Sequence, residues 1–168
     1  MIKTFDIYCD FDGVLVDFRR GSREVLGKNF EDPHWGDLNK EDKYDIIRNH
    51  PDFWERLPPM KDMRILWGFI KIFNPCALTA YAEWDKHDSI DGKWKWNQKY
   101  LGIAKDRFHC VAREDKQKYA VNENGKPNVL IDDYRLNISE WEKAGGIGVH
   151  HVDALNTIQR LRNLGFSE

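Results

Sequence analysis

Two aspartates, Asp10 and Asp12, stand two residues apart after a short apolar run, in the sequence Asp-Phe-Asp-Gly-Val-Leu-Val-Asp. Alternate side chains of an extended chain point the same way, so both carboxylates are expected to face one side, close enough to share a divalent cation. Gly13 permits the tight turn that exposes them. Asp and Gly are also common in ordinary turns, but a pair placed directly after a strand favours a catalytic interpretation.

Three further parts of the chain carry groups that suit the chemistry of a phosphate. Thr79 supplies a hydroxyl at the end of a second apolar run. Asp132 and Asp133 follow another such run, and a dense cluster of cations at 113–118 precedes it. Two separated acidic positions for Mg²⁺, a hydroxyl donor and an ammonium group are what a phosphoryl-transfer site needs.

The elements that must position these groups alternate between short apolar runs and longer segments of helical period. This alternation is typical of strands joined by crossover helices, and hence of a parallel sheet. The predicted strands are residues 5–9, 72–78, 107–111, 128–131 and 147–150. Right-handed crossovers stack such elements into a three-layer αβα, Rossmann-like sandwich whose ligand site lies at the carboxyl ends of the strands.

Segments with helical periodicity predict the helices that connect these strands. The predicted helices are residues 60–73, 83–101, 139–143 and 153–164. In the second of these, Ile90, Trp94 and Leu101 share a face, which we expect to be buried. Ser139 begins a Ser-x-x-Glu capping box and is predicted to start the third helix.

About sixty residues separate the first two predicted strands, far more than one crossover helix requires. We therefore expect a small helical cap over residues 16–59, inserted after the first strand. Residues 1–15 and 60–168 are predicted to form the core domain. A chain of 168 residues fits one domain with such an insertion.

Composition limits the partners of the protein. Lysine and arginine total 26 against 28 acidic residues, a formal charge of −2, which leaves no overall basic field for polymeric nucleic acid. The apolar stretch at the amino terminus is too short and interrupted for a signal peptide or membrane helix, so we expect a cytoplasmic protein with no membrane partner. Cys9, Cys76 and Cys110 lack CxxC spacing and are predicted to be reduced core residues.

The motifs resemble those of the haloacid dehalogenase-like phosphohydrolases along nearly the full length of the chain. Asp10-Phe11-Asp12-Gly13-Val14 resembles the first motif of that superfamily, and Thr79 the second. Lys116 resembles the third, and Asp132-Asp133 the fourth. Within the superfamily the chain is most similar to the 5′(3′)-deoxyribonucleotidases and the short nucleotidase-like proteins of bacteria and phages, through residues 12–18, 51–58 and 130–134. The resemblance implies an αβα sandwich with a small helical cap after the first motif.

The resemblance also implies a role for each aspartate. Asp10 would attack the phosphorus and form an aspartyl-phosphate, and Asp12 would protonate the leaving alcohol and then activate the hydrolytic water. Asp10, the main-chain carbonyl of Asp12 and Asp132 would hold Mg²⁺. Asp133 would orient the ligands of the metal or the lysine.

The remaining matched residues would bind the phosphoryl oxygens. Thr79, the backbone amide of Ala80 and Lys116 take this role by resemblance. Ala80 stands where the family often has Ser, and Tyr134 stands where deoxyribonucleotidases place an arginine. Lys118 also fits the third motif, although we assign that motif to Lys116 because Lys118 has the alternative of a solvated helix charge.

The function implied is a Mg²⁺-dependent phosphomonoesterase, a 5′-nucleotidase acting on nucleoside or deoxynucleoside monophosphates. Phosphosugars and nucleic-acid 3′-phosphate ends are alternative substrates, and a catalytically weak nucleotide-binding protein of the same fold is an alternative of a different class. Phe18 and Trp35 are candidate rings for stacking a base at the pocket mouth, with packing of the cap as their other interpretation.

Overall fold

The computed structural model describes residues 5–32 and 40–167. Five parallel strands in these ranges form one sheet, in the order β3-β2-β1-β4-β5. The strands are β1 (Ile7–Cys9), β2 (Cys76–Ala80), β3 (Phe108–Val111), β4 (Val129–Asp132) and β5 (Ile147–His150). The predicted parallel sheet is therefore confirmed.

Helices cover both faces of this sheet. They are α1 (Phe18–Leu26), α2 (Lys40–Arg48), α3 (Met63–Ile70), α4 (Lys86–Tyr100), α5 (Arg135–Lys143) and α6 (Ala154–Asn163). Ile7 and Ile131 belong to a large core that also holds residues of α3, α4 and α6. Leu78 and Leu130 point to the opposite face and pack with Trp141 of α5. Because successive side chains of a strand alternate between faces, the two cores define the three predicted layers.

The centre of the sheet is where the site must form. β1 pairs with β2 on one side and with β4 on the other. The chain runs outward from β1 through β2 to β3, then returns to β4 and β5, so the strand order reverses between β1 and β4. Ligands of open parallel sheets bind at the carboxyl ends of the strands at such a reversal.

Two predicted boundaries are wrong. Residues 72 and 73, predicted to begin the second strand, lie in a 3₁₀ turn after α3, and Asn74 then turns the chain in the left-handed conformation with φ 50°. Ser139, predicted to start a helix, lies inside α5, which begins at Arg135. The reason is that the Asp132 carboxylate accepts the N–H of Tyr134 at 2.9 Å and turns the chain into the helix earlier.

The buried face of α4 also differs from the prediction. Ile90, Trp94 and Leu101 are only partly buried. The buried residues of this helix are Ser89, Gly92, Lys93, Trp96 and Asn97. A Cβ at Gly92 would lie 2.4 Å from the Cβ of Trp54, so the missing side chain is what lets the helix approach residues 51–57 on this face.

This contact gives a prediction for stability. We expect Gly92→Ala to lower the free energy of unfolding by about 1–3 kcal/mol, because the new methyl group would overlap Trp54. Gly68 is exposed on α3, and a Cβ there meets nothing within 4 Å. Gly68→Ala should therefore stabilise by up to about 1 kcal/mol through helix propensity. Urea unfolding measures both, and a Gly92→Ala variant as stable as the unaltered protein would contradict the packing described.

The three cysteines form no disulfide with one another in the part of the chain that the structure describes. Cys9 and Cys76 are buried in the sheet, and Cys110 is half-buried. Within 5–32 and 40–167, every helix is too short or too polar to cross a bilayer.

Candidate active site

The aspartates after β1 and β4 are adjacent in space. Cys9 lies opposite Ile131 in the sheet, and the N–H of Asp10 donates to the Ile131 carbonyl at 2.9 Å. One carboxylate oxygen from each of Asp10, Asp132 and Asp133 lies within 4.8 Å of the others. Clustered hard oxygen ligands of this kind suit a divalent cation such as Mg²⁺.

The turn after β1 shapes the cluster. The N–H groups of Val14, Leu15 and Val16 all donate to the Phe11 carbonyl, which folds the chain back tightly. Gly13 has φ 80°, and a Cβ there would lie 2.1 Å from Oδ2 of Asp133. Glycine is therefore required at this position both for the backbone conformation and for the close approach of the Asp133 carboxylate.

Lys116 joins the two acidic positions. It lies in a 3₁₀-helical segment (Arg113–Tyr119) after β3 and is buried. Its Nζ is 2.9 Å from Oδ1 of Asp10 and 2.8 Å from Oδ2 of Asp132. Lys118, in contrast, is exposed and pairs with Asp115. The structure thus brings Lys116 to the site and leaves Lys118 outside it.

Burial and neighbouring charge set the protonation of this cluster. Burial disfavours the charged form of Lys116, but Asp10 and Asp132 outweigh it and raise the pKa of the lysine above its usual range. Burial, reinforced by Asp10 and Asp132, raises the pKa of Asp133 to about 7. Carboxylates outnumber ammonium groups around this point, so a bound cation would relieve their repulsion.

Adjacent Asp132 and Asp133 occupy different surroundings. Asp132 is fully buried, and its Oδ2 accepts hydrogen bonds from Lys116 and from Nδ2 of Asn137 at 3.0 Å. Asp133 borders the open cavity in front of Asp10. The geometry therefore presents Asp133 to a ligand and places Asp132 behind it, holding Lys116. A direct metal contact for Asp132 stays a prediction.

A buried lysine that sequence reasoning missed completes the site. Lys93 of α4 donates from Nζ to Oδ2 of Asp12 at 2.6 Å, to Oγ1 of Thr79 at 3.0 Å and to the Ala80 carbonyl at 2.7 Å. Thr79 is itself fully buried, while Ala80 borders the cavity. One sequence signal for its burial was available, because Lys93 follows Gly92 and lies at helical spacing from Ser89 and Trp96. The larger apolar residues of the helix predicted a different buried face.

A cavity of about 490 Å³ opens in front of these residues, a size within the usual range for small-molecule sites. Asp10, Asp12 and Lys116 border it on the side of the sheet. Phe18 and Met60 add apolar surface. The cavity can therefore admit a phosphate group together with a larger organic leaving group.

The two predicted stacking rings have different outcomes. Phe18 borders the cavity, and its ring also stacks on Trp54 with centroids 5.7 Å apart and meets Phe30 edge-on at 5.2 Å. Phe18 thus packs against its neighbours and still reaches the cavity. Trp35 lies outside the described residues.

Comparisons with known proteins give one sequence relative. No protein-family model matches the chain. The "Putative 5′(3′)-deoxyribonucleotidase" of Vibrio phage KVP40 is 30% identical over 98 residues, covering 57% of this chain and 51% of that protein. The match thus spans about half the length of this curated relative.

One solved structure shares the architecture, and a second is less similar. A hydrolase from Streptococcus pneumoniae TIGR4 matches with a TM-score of 0.54 and 13% identity, over 96% of this chain and 100% of that one. A hydrolase from Pseudomonas syringae matches with a TM-score of 0.48 and 16% identity, over 95% and 99% of the two chains. The first of these shows a common fold.

The sequence similarity to the phage protein agrees with the motifs, and the solved structure shares the fold. The residues of all four motifs also meet at one end of the sheet, beside one cavity. The similarity to the phage protein agrees with the predicted resemblance of this chain to the haloacid dehalogenase-like phosphohydrolases and, among them, to the 5′(3′)-deoxyribonucleotidases.

Proposed function

We propose that the protein is a Mg²⁺-dependent phosphomonoesterase that forms an aspartyl-phosphate on Asp10. The observation that carries this proposal is the position of Asp10, which borders the cavity, contacts the buried Lys116 at 2.9 Å and shares an acidic cluster with Asp133. A carboxylate held in this way has a cation beside it and an open approach for a phosphate.

In the first step, a carboxylate oxygen of Asp10 attacks the phosphorus. The bond from phosphorus to the leaving oxygen breaks, and the leaving oxygen keeps the electron pair of that bond. The same oxygen accepts a proton from Asp12. Lys116 lies beside the nucleophile and is placed to compensate the charge that spreads over the phosphoryl oxygens. The amide of Ala80, which borders the cavity, is assigned to the same oxygens. The same role for Thr79 stays a prediction, because Thr79 is fully buried and its Oγ1 accepts a hydrogen bond from Lys93.

In the second step, a water molecule gives a proton to Asp12, and its oxygen attacks the phosphorus of the aspartyl-phosphate. The bond between phosphorus and the Asp10 oxygen breaks, which releases inorganic phosphate and restores the Asp10 carboxylate. Asp12 thus acts first as an acid and then as a base, and returns to its starting state.

The donor set fits a Mg²⁺ ion. Asp10, Asp133 and the main-chain carbonyl of Asp12 would hold it, with Asp132 as the further carboxylate of the cluster. When bound, the cation supplies positive charge that screens the repulsion between Asp10 and the phosphate dianion.

Nucleoside and deoxynucleoside monophosphates are the proposed substrates, in keeping with the similarity to a phage protein named as a deoxyribonucleotidase. The catalytic residues contact only the phosphate, so selectivity must come from elsewhere. We assign it to a cap formed by residues 16–59, over a core of residues 1–15 and 60–168. The support is that α1 and α2 lie between β1 and β2, and that Phe18 of α1 borders the cavity.

Phosphate release from a panel of nucleotides, sugar phosphates and 3′-phosphorylated oligonucleotides tests the proposal, with p-nitrophenyl phosphate as a general substrate. We expect nucleoside monophosphates to exceed sugar phosphates by about 10- to 100-fold in kcat/KM, the value of one base-stacking contact. EDTA should abolish release, and excess Mg²⁺ should restore it.

Each alternative has its own outcome in this assay. A preference for sugar phosphates or 3′-phosphate ends would support the proposed phosphomonoesterase chemistry but contradict nucleoside monophosphates as the substrate. If no compound releases phosphate while nucleotides still bind, the result would contradict the enzymatic function and favour a nucleotide-binding protein.

A further inference from the structure

We propose that Lys93 is a positioning residue for the general acid of the reaction. It holds Asp12 by Oδ2 and so fixes the orientation of the carboxylate that exchanges a proton with the leaving group and then with water. This role rests on the proposed function and adds a residue to it.

The contacts of Lys93 show that it acts through Asp12. A lysine ammonium group has three N–H donors, and those of Lys93 have three acceptors on Asp12, Thr79 and Ala80. The residue is 2% exposed, and the described residues that border the cavity do not include it. To reach a phosphate, Lys93 would have to break one of these bonds and leave the interior.

The other buried lysine of the site is bonded differently. Among the described residues, Lys116 pairs with two carboxylates, and it borders the cavity. It therefore keeps a donor for the phosphate. The two lysines thus have different roles, because Lys116 borders the cavity where substrate would bind and Lys93 contacts the general acid Asp12.

Asp12 shows what Lys93 achieves. Its Oδ2 is held by a charged hydrogen bond of 2.6 Å, whereas its Oδ1 is buried and has no hydrogen-bond partner in residues 5–32 and 40–167. A short charged bond to one oxygen restricts rotation of the carboxylate. The side chain of Asp12 is 35% exposed and borders the cavity, so Lys93 holds the carboxylate in one orientation at the edge of the cavity.

The position of Lys93 is itself fixed by packing. Its Nζ lies 5.5 Å from the centroid of the buried Trp54 ring. Trp54 is held by a 2.7 Å hydrogen bond from Nε1 to Asp85 and by its contact with Gly92. The ammonium group is therefore confined between an aromatic ring and its three acceptors.

The test compares substrates whose leaving groups need an acid to different degrees. Lys93→Met keeps the length of the side chain and removes its three donors. We expect kcat for a nucleoside monophosphate, which has a poor leaving group, to fall by about 100-fold. For p-nitrophenyl phosphate, whose leaving group needs little protonation, kcat should fall by less than about 10-fold, with KM for both substrates nearly unchanged.

A double variant separates positioning from general damage. If Lys93 acts through Asp12, Asp12→Asn should show the same difference between substrates, and the combined variant should be no slower than Asp12→Asn alone. Lys95→Met is the matched control, because Lys95 lies on the same helix but is half-exposed and pairs with Asp91. It should keep the activity of the unaltered protein.

Each result has a definite meaning. Equal losses on both substrates, or losses that add to those of Asp12→Asn, would overturn the positioning role while leaving the proposed function standing. If Lys93→Met does not fold, Lys93→Gln, which keeps a neutral donor, takes its place, and failure of both to fold would assign Lys93 to the fold alone. Absence of turnover in the unaltered protein would overturn the proposed function and this role together.

Discussion

Asp10→Asn should abolish turnover: we expect kcat to fall by about 10³-fold or more on every substrate, activated or not. The amide keeps the shape of the side chain but is a poor nucleophile, and it removes one charge from the metal cluster. Phosphate release measures the loss. Acid quenching during turnover, followed by mass spectrometry of the peptide that holds Asp10, should show a phosphoryl group in the unaltered protein and none in the variant.

The control for this substitution is the same change at an exposed site. Asp115 pairs with Lys118 on the outer side of the segment that carries Lys116. Asp115→Asn should leave kcat within about twofold, because a solvent-exposed ion pair contributes little. An Asp10→Asn variant with near-normal activity would place the nucleophile elsewhere and remove the basis of the proposed mechanism.

The location of the acidic groups was predictable because it depends on chain order. Apolar runs identified the strands, and the first, second and fourth runs were followed by aspartates or a threonine at their carboxyl ends. In a parallel sheet those ends share one edge, so Asp10 and Asp132 had to lie near each other once β1 and β4 were neighbours.

The surroundings of individual side chains were less predictable. Asp132 and Asp133 are adjacent in the sequence, and the bonds from Lys116 and Asn137 to Asp132 help to distinguish this buried carboxylate from that of Asp133, which borders the cavity. These bonds join residues from different elements. Local periodicity holds no information about such partners.

Lys93 shows the same limit more strongly. A lysine in a helix is ordinarily solvated, so the apolar residues of α4 were the better guide to its buried face. The buried face of α4 is determined instead by the contact of Gly92 with Trp54 and by the hydrogen bonds from Lys93 to Thr79 and Ala80 at the end of β2. A buried charge whose partners are remote in sequence is visible only in the folded structure.

Lys116→Met should damage both stability and catalysis. Lys116 is 3% exposed and lies between the carboxylates of Asp10 and Asp132. Without its ammonium group these two carboxylates face each other in the interior, and loss of one partner of a buried ion pair costs about 3–5 kcal/mol. Loss of the charge beside the phosphoryl group should also lower kcat by about 10²- to 10³-fold.

The sign of the pH dependence identifies the cause of the lost stability. Burial already raises the pKa of Asp10, against the opposing effect of Lys116, and removing the lysine raises it further. A carboxyl group whose pKa is higher in the folded state binds its proton more readily there, so stability returns as the pH falls. The difference in unfolding free energy between Lys116→Met and the unaltered protein should therefore shrink between pH 7 and pH 5.

Urea unfolding at the two pH values checks this, with Lys118→Met as the matched control. Lys118 is exposed and its pair with Asp115 is solvated, so its loss should cost at most about 1 kcal/mol at either pH. A Lys116→Met variant as stable as Lys118→Met would mean that the interior tolerates the two carboxylates without a cation, and the ion pairs of Lys116 would then be incidental to the fold. A large loss that does not vary with pH would trace the damage to packing around the lysine stem rather than to its charge.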